Sequence, residues 1–286
     1  MWNLQKNIRA KGILLAAAAG VCGLTACGNI SGECAGGISG GSETAAVSEE
    51  SDSRDGSIQN GENSGEISGS SAADVKCGVE TEMPEEYVIA DFPQVLQMPE
   101  LPTGCEITAL TMILNYYGYD VDKVTMAAEY LPTAEDIMYY GNDGLLHGND
   151  LNEYFIGDPF SEDGVVCGTG AIVTAADSYL EDEGSSLEAV DLTGADPEEL
   201  YELVSEDTPV AVWVTIEMAN RDETQGWYTD DGEYVEWSDN DHGAVLIGYS
   251  PDTVTIADPI SGIVEYDRVQ FERVYAARGK HGVILT

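Results

Sequence analysis

The chain has 286 residues, with 53 acidic side chains against 11 basic ones and a formal net charge of −42. A chain this acidic does not read as a nucleic-acid binder, which needs a basic face, nor does it adhere to an anionic lipid surface by charge alone. A cationic partner stays open, although acidity of this kind also serves solubility alone.

The first residues, "MWNLQKNIRAK", carry Lys6, Arg9 and Lys11, and the apolar run "GILLAAAAGVCGL" that follows is shorter than a spanning helix requires. It ends in "LTAC" at 24–27, with Gly28 next. A basic flank, an apolar core and small residues before a cysteine resemble a bacterial lipobox. On this reading residues 1–27 are a lipoprotein signal, and Cys27 is acylated and becomes the new N-terminus. The protein is then extracytoplasmic and tethered to the cell membrane through Cys27. A plain secretory signal with an incidental cysteine is the alternative.

Residues 28–82 are Ser, Gly, Glu and Asp with almost no large apolar side chains. Such a segment cannot bury enough surface to offset its ordering entropy, so it is expected to be a disordered, self-repelling spacer. It contains Cys34 and Cys77, which the sequence leaves either paired or free. Residues 83–286 are the size of one domain.

Within that domain, Ile107, Leu110, Ile113, Leu114 and Tyr117 follow helical spacing over 103–117. Thr103 is the expected N-cap and Gly118 the C′ residue. A second short helix is expected over 121–130, stopping at Pro132, before loop-rich residues 131–168. "GAIVTAADSYLEDEG" predicts a helix closed by Gly184. "DPEELYELVSED" predicts another, with Asp196 as N-cap, Pro197 at the first helical position and Glu199 completing a capping box. The periodicity then changes to short β-branched runs at 209–215, 243–249, 253–258, 262–267 and 282–286, with a small helix in "FERVYAARG". Helices first and strands later argue for an α+β domain: a helical half packed on an antiparallel sheet.

Cys105 falls in the first turn of the first predicted helix, where unpaired N–H groups and the helix dipole favour a thiolate. "DHGAVLIGYSPDTVTIADPISG" supplies two strands around a turn at "SPDT". If that turn centres near Ser250, His242 and Asp258 are directly opposed and share a face, about 5 Å apart at Cβ. A one-residue slip would turn one of them away. A thiol on a helix, an imidazole on a strand and a carboxylate on the next strand are the parts of a Cys–His–Asp hydrolytic triad, resting as a thiolate–imidazolium pair. The Cys105 N–H and the side chain of Gln97 can serve as oxyanion donors.

"LPTGCEITALTMILNYYGY", "HGAVLIGY" and "ADPISG" together resemble the papain-like cysteine peptidases related to the bacteriocin-leader (double-glycine) peptidases, in their stand-alone extracytoplasmic form. The similarity runs from about Gln94 to the C-terminus. It implies a papain-like fold, with Cys105 as nucleophile, His242 as general base and acid, Asp258 as the residue that orients it, and Gln97 as oxyanion donor. In transporter-linked relatives the glutamine lies closer to the cysteine, so Gln94 and Gln97 are both open.

The remaining candidates read more plainly. Cys167 also precedes a helix but lacks the Thr-Gly-Cys-Glu context and reads as structural; His147 reads as a loop residue and His281 as structural. No CxxC or HExxH pattern suggests zinc, and the acidic hairpin "YTDDGEYVEWSDND" lacks calcium-ligand spacing. Trp227 and Trp237 read as the rim of a groove or as packing. The expected protein is a monomeric, lipid-anchored cysteine peptidase acting on a peptide or protein, with no cofactor, metal or nucleic acid. Its alternatives are an amidase or transglutaminase-like acyl transferase and a catalytically inactive papain-like binding module.

Overall fold

The computed structural model describes residues 83–286. The expected signal segment with Cys27, the spacer, Cys34 and Cys77 lie outside the described residues.

Among the described residues, four helices of nine residues or more, α1 (Cys105–Tyr116), α2 (Thr169–Asp182), α3 (Pro197–Ser205) and α4 (Arg268–Ala277), surround one seven-stranded antiparallel sheet. Its strands are β1 (Tyr87–Val88), β2 (Ala189–Asp191), β3 (Val210–Thr215), β4 (Asp241–Tyr249), β5 (Thr253–Asp258), β6 (Gly262–Asp267) and β7 (Gly282–Leu285). The spatial order is β6–β5–β4–β3–β7–β2, and β1 pairs with the far end of β4. This is the α+β, papain-like arrangement anticipated from the sequence.

The strands read as they do because of where they sit. All residues of β3 and β4 are buried, which suits unbroken runs such as Val210–Val214 and Ala244–Ile247. Strand β6 lies at the edge and alternates half-buried with exposed residues. Helix α1 is buried from Cys105 to Leu114 rather than on one stripe. Its off-stripe polar residues are satisfied internally: Thr108 Oγ1 donates to Gly104 O and Thr111 Oγ1 to Ile107 O, both at 2.7 Å.

Turn and cap chemistry largely follows expectation. Gly118 and Gly184 adopt positive φ and close α1 and α2, with Tyr119 N–H donating to Leu114 O and Ser185 N–H to Leu180 O. At α3, the Asp196 N–H donates to Glu199 Oε2 at 2.7 Å. Three expectations are corrected. Thr103 is not the N-cap of α1: Gly104 occupies that position, and the Thr103 hydroxyl donates to Ser161 O instead. The second helix is a short turn, Lys123–Thr125, running into a π-turn, Met126–Tyr130, and is capped by Asp122. Residues 131–168 hold two-residue strands as well as loops.

One small sheet joins Tyr139–Tyr140, Leu146–His147, Trp227–Tyr228 and Tyr234–Val235, so the acidic hairpin is real. Trp227 is no groove rim. It is fully buried with Leu151, Ile156, Val166 and Val235, and its indole N–H donates to Asn149 O at 2.8 Å.

The β4–β5 register also differs from expectation. Next to the turn, Tyr249 faces Val254 and Gly248 faces Thr255; past a bulge at Ile247, Leu246 faces Ile256 and Val245 faces Ala257. One step further sets Ala244, not His242, opposite Asp258.

Candidate active site

Cys105 is the first residue of α1, and the chain reaches it through a tightly bonded loop. Gly104 N–H donates to Leu101 O, and Leu101 N–H to Gln97 O. Gly104 lies so close to Leu101 that an added Cβ would stand 3.0 Å from the Leu101 Cβ. This packing fixes the entry of α1 and with it the position of the sulfur.

The start of α1 is pressed against β4. A Cβ on Gly243 would fall 2.8 Å from both Cα and Cγ of Glu106, so residue 243 has room only for hydrogen. The contact brings the Gly243 backbone against the Cys105 sulfur and sets His242 beside the helix N-terminus.

Strand β4 begins at Asp241, whose buried carboxylate is held by two guanidinium groups: Oδ1 is 3.1 Å from Arg221 Nε and 3.0 Å from Arg278 Nε. Its Oδ2 also accepts the Ser238 N–H at 2.9 Å. Such paired burial anchors the backbone from which His242 projects.

His242 and Asp258 are both buried, and His242 Nε2 lies 3.2 Å from Asp258 Oδ1. The ring N–H does not meet that oxygen squarely, so the contact is a close approach rather than an aligned hydrogen bond. The Asp258 carboxylate is fixed from its other side by the N–H groups of Ile260 (2.7 Å) and Ser261 (3.0 Å). Burial pushes Asp258 up, but the His242 ring and these two amides outweigh it and leave the carboxyl below its ordinary range.

Gln97 is buried, whereas Gln94 is exposed. The Gln97 N–H donates to Pro259 O at 2.7 Å, and its side-chain Nε2 donates to Pro102 O at 2.9 Å. Gln97 therefore bridges the segment after Asp258 and the segment before Cys105, and its Oε1 is buried without a partner. Gln94 Nε2 instead donates to the Asp258 backbone oxygen at 3.1 Å. A residue that the sequence did not single out holds this loop. Lys123 Nζ bonds the carbonyls of Leu96, Gln97 (2.8 Å) and Met98 (3.4 Å) and pairs with Glu100 at 2.7 Å.

A second unanticipated residue is Glu106. It is buried, accepts from Cys105 Sγ through Oε2 at 3.2 Å and from the Cys167 N–H through Oε1 at 3.3 Å. Burial, and next the Glu106 charge, push the Cys105 thiol well above its ordinary range. The helix end expected to favour a thiolate is there, but the sulfur is buried and beside a carboxylate, both of which disfavour that form. The only sequence signal for Glu106 was its place immediately after the cysteine, where an acidic residue at a helix start reads as dipole complement.

The other expected residues take the plainer roles. Cys167 is buried, and its carbonyl accepts the Trp213 indole N–H at 2.8 Å. His147 lies not in a loop but in the short strand Leu146–His147, where it stacks on Tyr139 and contacts Asp143 Oδ2 at 3.1 Å, and His281 packs edge-on against Trp213. Among the described residues, no three His, Cys, Asp or Glu side chains converge to hold a metal ion.

Residues 89–283 match the model of the Peptidase_C39 like family. The uncharacterized protein YvpB of Bacillus subtilis strain 168 is 31% identical over 191 residues, covering 66% of this chain and 72% of its own. A crystal structure from Bacillus anthracis, of a protein described as C39-like, is 32% identical. It superposes with a TM-score of 0.62, covering 71% of this chain and 98% of its own.

Proposed function

We propose that this chain, which belongs to the Peptidase_C39 like family, is a cysteine peptidase that cleaves peptide bonds with Cys105, His242 and Asp258. The observation that carries the reading is the buried His242–Asp258 pair at 3.2 Å, with His242 on the strand packed against the helix end that bears Cys105. With Nε2 facing Asp258, Nδ1 is the ring nitrogen left for the proton of the thiol in this reading.

The chemistry follows from those positions. As Sγ bonds to the scissile carbonyl carbon, its proton passes to His242 and the carbonyl electron pair moves onto oxygen. The Cys105 N–H and the second N–H of the Gln97 side chain hold that oxyanion. His242 then gives its proton to the leaving amine as the C–N bond breaks, which leaves a thioester. Water adds to the thioester, loses a proton to His242 and expels the sulfur, which takes that proton back. Asp258 steadies the imidazolium throughout.

The setting we propose is the outer face of the cytoplasmic membrane, with a lipid on Cys27 and residues 28–82 as a spacer. Mass spectrometry of the mature N-terminus checks it, and an unmodified Cys27 would reject it. For the chemistry, the experiment is cleavage of a peptide library by wild type and by Cys105→Ala. Activity confined to the wild type is expected; hydrolysis that survives the substitution would sink the assignment.

A second reading, a binding module without catalysis, draws on the burial of Cys105 and its raised thiol. No cleavage by the wild type of any library member, together with peptide retention, would favour it.

A further inference from the structure

The peptidase reading gives no role to the carboxylate nearest the nucleophile. Glu106 Oε2 lies 3.2 Å from Cys105 Sγ, both side chains are buried, and Oε1 is fixed by the Cys167 N–H at 3.3 Å. Gly243 closes over the Glu106 Cα and Cγ, so the side chain has no room to swing away. We propose that Glu106 is the residue that holds the resting nucleophile as a neutral thiol, its Oε2 accepting the Cys105 Sγ–H until His242 takes that proton. The proposal rests on Cys105 being the nucleophile and adds a residue that governs it.

The groups facing Glu106 set the balance. On its own helix is Cys105; before α2 is Cys167, a second buried thiol; from β4 comes His242; from beyond α4 comes the buried Arg278 guanidinium, whose charge reaches both Glu106 and Cys105. Burial is the largest influence and leaves the Glu106 carboxyl above its ordinary range, against the pull of the hydrogen-bond donors around it and of His242. A carboxylate and a thiolate side by side in this dry pocket repel, so only one of the two carries the negative charge. With Glu106 ionised, the proton stays on sulfur. Removal of the carboxylate charge frees the sulfur to ionise against His242.

The test is the pH dependence of iodoacetamide alkylation at Cys105, read by mass spectrometry so that Cys167 is counted apart, in wild type and Glu106→Gln. Gln keeps an oxygen for the Cys167 N–H and loses only the charge. The expected result is a midpoint lowered by about one pH unit or more, hence about tenfold faster alkylation well below both midpoints. Glu106→Asp, which keeps the charge, should stay near wild type. An unchanged or raised midpoint, or a Cys105 that Glu106→Gln leaves unreactive, would overturn the proposal.

Should Glu106→Gln fail to fold, thiolate absorbance decides on the wild type against Cys105→Ala. No Cys105 thiolate at neutral pH supports the proposal, and a resting thiolate there overturns it. Neither measurement uses a substrate, so failure of the peptidase reading, seen as hydrolysis without Cys105, is told apart from failure of this one.

Discussion

The register of Val245 opposite Ala257, carried one step on, sets Asp258 against Ala244, two residues along β4 from His242, and Asp258 still places Oδ1 3.2 Å from the His242 ring. The bulge at Ile247 makes this possible. Carried on from the turn without the bulge, the register would set Asp258 against Val245, on the other face of the strand from His242. One inserted residue restores the shared face, and the side chains close the remaining diagonal.

The pair also predicts a pH dependence. The Asp258 carboxyl is lowered in the folded protein, so the unfolded chain binds its proton more readily. Its contribution to stability is complete above the ordinary carboxylate range, near pH 3.9, and is lost as pH falls through the lower folded value. Asp258→Asn should therefore unfold at lower urea than wild type at neutral pH, with the gap narrowing below about pH 4. It should also lower kcat/KM by on the order of 10²-fold or more, because the imidazolium loses its partner. A urea gap that stays constant down to acid pH would refute the first part.

The residues that act through sequence-local chemistry were legible before the structure. Cys105 announced itself by its helix start, Gly118 and Gly184 by the need for positive φ, and Asp196 and Glu199 by capping spacing. His242 and Asp258 were found together although the turn register behind the argument was wrong, because the assumed and actual registers differ by an even number. The misses are long-range. Nothing local marks Lys123 as the partner of a loop 25 residues away. Nor does anything local distinguish a Glu106 that faces inward from one that serves the helix dipole. Trp227 read equally as groove rim or as packing, because the residues that build the small core around it, from 151 to 166 and at Val235, are distant or unremarkable in the sequence.

Lys123 should matter to turnover more than to folding. Its ammonium gathers the carbonyls of residues 96–98 and thereby positions Gln97. Lys123→Met removes that clamp, and a displaced oxyanion donor can cost on the order of 10²-fold in rate. We expect kcat to fall by up to about that factor, with KM little changed and partial recovery in Lys123→Arg. Steady-state kinetics check this; a change in KM alone would assign Lys123 to substrate binding instead.

Gly243→Ala should be costly for steric reasons alone. The new methyl group would meet the Glu106 backbone at 2.8 Å, and neither α1 nor β4 can retreat from the core around them. Overpacking of this kind costs about 1–3 kcal/mol. A lowered urea midpoint with unchanged slope is the expected result, and wild-type stability would show that the helix end can yield.

The two glutamines upstream of Cys105 make separable predictions. Gln97 is buried and joins the loops of Cys105 and Asp258 by its N–H and side chain, whereas Gln94 is exposed and touches only backbone oxygens. In the proposed mechanism Gln97, not Gln94, supplies the side-chain N–H to the oxyanion formed at Cys105. Gln97→Ala should therefore lower kcat by on the order of 10²–10³-fold, the usual loss for one oxyanion donor, while Gln94→Ala leaves kcat within a few-fold of wild type. Gln97→Glu keeps the size but reverses the electrostatics toward the developing charge, and it should be no better than Gln97→Ala. Equal losses at both positions would mean that the loop contributes shape rather than a donor, and a larger loss at Gln94 would move the oxyanion assignment to that residue.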